Sequence, residues 1–199
     1  MAHVKATFAE IAYFQKINQR TMRDGEFSVS SMIILGGAGG GKSQWCKNEF
    51  SKIVADARGF TADEVAVELT QAAIRDDQEY AGVGVPQKSE TGLVTRFSLP
   101  NLIERLDELR AAGAKCIILV VDEVSAASDA IQKLFAPVAD KFDHRLGDHV
   151  LGNDVVIAMT GNRAKDKAGS RRLLSHLPNR ACVYDLQVDH AAGADWLEA

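Results

Sequence analysis

Met32-Ile-Ile-Leu-Gly-Gly-Ala-Gly-Gly-Gly-Lys-Ser43 is the stretch that decides how this 199-residue chain is read. An apolar run, Met32 to Leu35, stops at a glycine loop that ends in Lys42 and Ser43. The spacing fits G-x-x-x-x-G-K-[ST], the P-loop. A loop almost free of Cβ atoms can turn its backbone N–H groups inward and lie close to a polyphosphate. A helix that begins there points its positive dipole end at the same phosphates. The candidate nucleotide-binding residues are Gly36, Gly37, Ala38, Gly39, Gly40, Gly41, Lys42, Ser43 and Gln44. Lys42 is expected to reach the β- and γ-phosphates, and the Ser43 hydroxyl to hold Mg²⁺. A strand before the loop and a helix over Gln44 to Asp56 supply the context this motif requires.

The totals set the frame. The chain is 46% hydrophobic and 25% charged, an ordinary composition for one α/β domain with at most a small appendage. Its net charge of −4 argues against the overall basic footprint of a dedicated nucleic-acid binder. Cys46, Cys116 and Cys182 are odd in number and far apart, without a C-x-x-C pair, so they read as reduced, mostly buried thiols in a cytoplasmic protein. The N-terminus lacks a basic-then-apolar secretory run, and no segment approaches the roughly 18 apolar residues of a membrane span.

Along the chain, Phe8, Ile11, Ala12 and Ile17 recur at mostly helical spacing and predict an amphipathic helix over 6–20, followed by a turn at 23–26. Val65 to Leu69 alternates and predicts a strand. Residues 74–98 are polar and glycine-bearing, long for a loop in a compact domain, and so expected to be functional or mobile. A helix starts at Pro100 or Asn101 with Leu102, Ile103, Leu106 and Leu109 on one face and ends at Gly113. Cys116 to Val121 is a continuous β-branched run, as in a strand buried on both faces. A helix over 128–142 must kink or end at Pro137. A small hairpin at 144–151, a strand at Val155 to Met159, a short helix at Leu173 to Leu177 and a strand at Ala181 to Leu186 complete the reading. Strands alternating with helices imply a parallel sheet covered on both sides, with its active edge at the strand C-termini.

Asp122 and Glu123 follow the most hydrophobic strand. A carboxylate at the tip of a buried strand needs a cation or donors, and Mg²⁺ at the P-loop would supply the cation for Asp122. Glu123 projects differently and is the candidate base for an attacking water. Asn162 ends the next strand; if that strand lies between the P-loop strand and the Asp122 strand, its amide can touch the γ-phosphate. Arg163, Lys165, Lys167, Arg171 and Arg172 are nearly unopposed, offset by Asp166 alone, and read as a solvated loop, a neighbour-facing interface or a phosphate-binding patch. Arg180 precedes the last strand; by itself it reads as a structural arginine, although one at that place could reach a nucleotide held by an adjacent subunit.

In this order, Gly36–Ser43, Asp77 with Gly82-Val-Gly-Val-Pro86, Ile118–Glu123, Val155–Arg163, Leu177-Pro-Asn-Arg180, and Asp189 with Trp196 resemble an AAA+ ATPase. More narrowly, they resemble the MoxR-like branch, including its short members in bacteriophage and bacterial genomes. The resemblance implies a three-layer αβα P-loop NTPase sandwich with a five-stranded, mostly parallel sheet in the order 5-1-4-3-2. It implies Asn162 as the sensor of the γ-phosphate and Arg180 as an arginine finger acting across a subunit boundary. It further implies ATP and Mg²⁺ as ligands, a ring usually of six subunits, and remodelling of a partner protein. The expected domains are 1–30 as a lead-in helix, 31–188 as the core, and 189–199 as the start of a truncated helical lid. The family often carries proline where Ala38 stands, so this loop is expected to be more flexible when empty. Two other readings stay open: an ATP-dependent nucleic-acid factor, motivated by the basic stretch, and a nucleotide-gated assembly module that rarely turns over.

Overall fold

A computed structural model describes residues 3–23, 30–166 and 173–187. In chain order the elements are β1 (Val4–Ala6), α1 (Phe8–Arg23), β2 (Ser31–Leu35), α2 (Lys42–Arg58), β3 (Val65–Gln71), α3 (Asp77–Ala81), β4 (Gly84–Ser89), β5 (Gly92–Phe97), α4 (Asn101–Ala111), β6 (Cys116–Asp122), α5 (Asp129–Ala139), β7 (Arg145–Leu146), β8 (His149–Val150), β9 (Val155–Gly161) and β10 (Ala181–Leu186). The main sheet among the described residues has six strands in the order β1-β10-β2-β9-β6-β3, and every pairing in it is parallel. Five of them reproduce the expected order 5-1-4-3-2. The sixth, β1, adds an edge through the register Val4↔Tyr184 to Ala6↔Leu186. Three residues are too short a run to carry a strand signal of their own; they pair along the open edge of β10.

Successive side chains of a strand point to opposite faces. Ile33, Leu35, Ile117, Leu119, Ile157 and Met159 therefore share one face, where Ile103, Leu106 and Phe135 from α4 and α5 cover them. Met32, Ile34, Ile118, Val120, Val156 and Ala158 share the other, beneath Ile11 of α1 and Cys46, Phe50 and Val54 of α2. The result is the three-layer αβα sandwich, and burial on both faces explains the unbroken apolar runs of β2, β6 and β9. The two outer helices on the α2 side are tied by a Phe8–Trp45 ring stack at 5.1 Å and by a Lys16–Asp56 ion pair at 2.6 Å.

Several expectations are corrected. Residues 74–98 are not a bare loop: they hold α3 and the antiparallel hairpin β4–β5. Residues 173–177 form no helix, because the Leu174 N–H donates to the buried Gln132 Oε1 at 2.9 Å and the chain then turns, Leu177 N–H to Leu174 O and Arg180 N–H to Leu177 O. Helix α5 runs two residues past Pro137 and ends at Ala139. Helix α2 begins at Lys42, before the expected Gln44, and β3 reaches Gln71. The turn at 24–26, Lys167, Arg171, Arg172, Asp189, Trp196 and the lid start at 189–199 lie outside the described residues. Among the described residues, no helix is long and apolar enough to cross a membrane.

Candidate functional site

The C-terminal ends of β2, β9 and β6 are neighbours in the middle of the sheet. The loop from Gly36 to Gly41 leaves the first of them. Gly36 donates its N–H to Gly161 O on β9 at 3.2 Å. A Cβ at Gly36 would lie 3.1 Å from Leu186 Cβ, so the loop leaves the sheet through a gap sized for glycine. Gly39 and Gly41 have φ of 75° and 70°, the left-handed region, and Gly41 is the N-cap of α2. Helix α2 carries no acidic residue in its first turn, so the positive end of its dipole is not offset by its own side chains. Ala38 and Gly39 are exposed at the loop tip, and Gln44 is exposed on the first turn of α2.

The side chains singled out by sequence meet around this loop. Lys42, only 8% exposed, donates from Nζ to Gly37 O at 2.7 Å, Gly36 O at 3.2 Å and Asn162 Oδ1 at 3.2 Å. Burial lowers its pKa, opposed by the nearby Asp122 carboxylate. Ser43 donates from Oγ to Asp122 Oδ1 at 2.7 Å. The same Oδ1 accepts the Thr160 hydroxyl and, at 3.1 Å, the Glu123 N–H. Glu123 is exposed and takes a left-handed φ of 56°, which turns it off the strand direction set by Asp122. Asn162 is half-buried, and its N–H donates to Ser125 Oγ at 2.9 Å.

One predicted residue stands apart, and another is paired. Arg180 precedes β10, whose first residue pairs with Ser31 at the start of β2. The five-residue β2 separates it from the glycine loop, roughly 16 Å at the rise of a strand. There Nε donates to Asp140 Oδ2 at 3.0 Å and a terminal nitrogen to His176 O at 3.1 Å. Arg163 is not unopposed: it pairs with Asp166 at 2.8 Å and Asp185 at 3.0 Å. Thr160 and Ser125 complete the site without a distinctive sequence signal. A hydroxyl at the end of an apolar strand and another three residues after Asp122 are too common to select either residue.

The donor set suits a magnesium nucleotide. Among the described residues, no group of three or more His, Cys, Asp or Glu side chains could hold a metal alone. Mg²⁺ keeps several waters and takes one or two protein ligands plus phosphate oxygens. One hydroxyl and one carboxylate already in contact, Ser43 and Asp122, meet that demand.

Comparisons agree at the level of the fold. No protein-family model and no curated protein matches the chain. Among solved structures, PCH-2 of C. elegans is similar with a TM-score of 0.52 and 15% identity over 90% of this chain and 42% of that chain. The closed state of Hsp104 with ATPγS and FITC casein gives a TM-score of 0.53 and 16% identity over 89% of this chain and 32% of that one. The chain thus spans less than half the length of the structures it resembles. At these identities the likeness establishes the fold, that of a P-loop NTPase.

Proposed function

We propose that this chain is the nucleotide-binding core of an AAA+ ATPase of the MoxR-like branch, which binds and hydrolyses Mg·ATP as a ring oligomer, of six subunits, and remodels a partner protein. One observation supports it above the rest. Lys42 of the glycine loop, Asp122 with Ser43, and Asn162 come from segments far apart in sequence and meet at the tips of three adjacent strands. Helix-terminal amides, a lysine, a hydroxyl–carboxylate pair and a carboxamide form a set suited to a terminal phosphate and an attacking water.

In the mechanism we infer, the glycine-loop N–H groups and the α2 N-terminus bind the phosphates, and Lys42 exchanges its carbonyl partners for phosphate oxygens. Ser43 and Asp122 are the residues that would hold Mg²⁺, which when bound neutralises charge on the phosphate oxygens. Glu123 takes a proton from water as the water oxygen bonds to the terminal phosphorus and the bond to ADP breaks. Asn162 orients that water. Arg180 lies a strand's length from the loop of its own chain, a position that favours action on a neighbour's nucleotide.

Glu123→Gln tests the reading. The variant is expected to bind ATP with unchanged affinity and to lose hydrolysis by at least ~100-fold. Trp45, within one turn of Lys42 on α2, reports binding by its fluorescence in a Trp196→Phe background. Turnover in Glu123→Gln equal to that of the parent would remove Glu123 from the mechanism. Turnover that rises steeply on adding DNA, and falls again with salt, would favour the nucleic-acid factor instead.

A further inference from the structure

The turn after β6 is fastened to the end of β9 by three contacts. Val124 N–H donates to Thr160 O at 2.9 Å, the Thr160 hydroxyl donates to Asp122 Oδ1, and Asn162 N–H donates to Ser125 Oγ at 2.9 Å. Between the last two lies Gly161, where a Cβ would come within 2.8 Å of Ser125 Oγ and 3.0 Å of its Cβ. Ser125 is 1% exposed, so its hydroxyl has little recourse to water, and its acceptor lone pair is committed to the Asn162 amide. Glu123 stands inside this fastened turn, two residues before Ser125, in a left-handed conformation that a non-glycine residue rarely holds unaided.

We infer that Ser125 is a positioning residue for the hydrolytic step: its hydroxyl locks the turn carrying Glu123 to the backbone of Asn162, so that base and carboxamide are held as one rigid unit. The inference rests on the proposed ATPase reading of the same site. It is not a binding role. Among the described residues, the hydrogen bonds of Lys42, Ser43 and the Asp122 carboxylate do not involve Ser125. Its removal therefore loosens the pair that must be aligned on one water, and a displacement of about 1 Å in such a pair costs up to ~10²-fold in rate.

The experiment compares the 199-residue chain with Ser125→Ala and Ser125→Cys, the latter keeping the volume and a weak acceptor. ATP affinity is read from Trp45 fluorescence, turnover from phosphate release, and local order from amide hydrogen exchange across 160–163. Expected for Ser125→Ala is kcat lower by ~10- to 100-fold, with KM and ATP affinity within twofold of the parent and faster exchange at Asn162. Ser125→Cys is expected to recover part of the rate. Equal losses of affinity and turnover, or a parental kcat in a folded Ser125→Ala, would overturn the inference. Should Ser125→Ala fail to fold, the Cys variant decides alone: faster exchange at Asn162 with turnover still parental would overturn it, because lock and rate would then be uncoupled. A parent chain that binds ATP but does not hydrolyse it would defeat the ATPase reading, and the exchange data would still show whether Ser125 makes the lock.

Discussion

Asp122 Oδ1 gathers two hydroxyls and a backbone N–H, so much of the stability of the site rests on one carboxylate oxygen. Thr160 is fully buried and its hydroxyl bonds a charged group, the stronger class of hydrogen bond. Thr160→Val keeps the shape and removes the donor; a loss of about 1–3 kcal/mol is expected in urea unfolding, whereas an exposed hydroxyl would give almost none. His144 makes a second case. Its ring is held near the Val155 carbonyl at 3.1 Å, and burial lowers its pKa from the ordinary 6.5, with Asp154 nearby pulling the other way. The unfolded chain therefore binds this proton more readily than the folded one. Stability from the neutral ring is complete above pH 6.5 and is lost as pH falls from there toward the folded-state value. The depressed carboxylates, such as Glu64 and Asp140, act only in a more acid window, where their own paired forms protonate. His144 sits at φ 43°, which asparagine tolerates. His144→Asn is expected to flatten the fall of the urea midpoint between about pH 7 and 5.5, and an equal fall in both proteins would exclude His144 as its source.

At the scale of elements, the β4–β5 hairpin shows how a fold can hide from sequence. Almost every residue from Val83 to Leu99 is exposed, so neither strand carries the apolar alternation that marks a half-buried one. What fixes the hairpin is its base: Val83 and Ser98 exchange bonds, and Gly82 takes φ 79° and ψ 169°, a region open essentially to glycine alone. A Cβ there would lie 2.2 Å from Ser98 O. Gly82→Ala is expected to cost about 2 kcal/mol or more and to accelerate amide exchange over 83–98. Gly92→Ala, at φ 129° but in open space, meets only the backbone penalty and should cost less. Equal costs would show that the tight contact at Gly82 is not what holds the hairpin base. By contrast, β2, the glycine loop, β6 and β9 were legible because burial on both faces and phosphate-type loop chemistry leave unmistakable residue types. The meeting of Lys42, Ser43, Asp122 and Asn162 was legible for the same reason. The clamp from Thr160 and Ser125 was not: a serine or threonine carries no mark of its partner until two strands are laid side by side. Nor did the short β1, whose strand character comes from β10 rather than from its own residues.

At the scale of the whole molecule, the parallel sheet separates two chemistries by its length. The glycine loop, Asp122 and Asn162 occupy the end where strands finish; Arg180 occupies the end where β10 begins. Arg180 is held there before any partner arrives: Asp140 accepts its Nε, and the same carboxylate accepts the N–H groups of Phe142 and Asp143, which fix it at the end of α5. A guanidinium prepared in this way, and turned from its own site by a strand's length, has a use if subunits assemble with the end of one against the loop of the next. The consequence is testable by mixing. Glu123→Gln lacks the base but keeps the arginine; Arg180→Ala lacks the arginine but keeps the base. Glu123→Gln alone is expected to lose hydrolysis by at least ~100-fold, and Arg180→Ala alone by at least ~10³-fold if the arginine acts as a finger. In a mixed assembly, a site with an intact Glu123 can face an intact Arg180 from its neighbour, so an equimolar mixture should regain a substantial fraction of parental turnover. Recovery should depend on total protein concentration, because dilution separates the subunits. If the mixture remains as inactive as its components while both still bind ATP and assemble, Arg180 acts within its own chain or not at all, and the ring reading loses its geometric support.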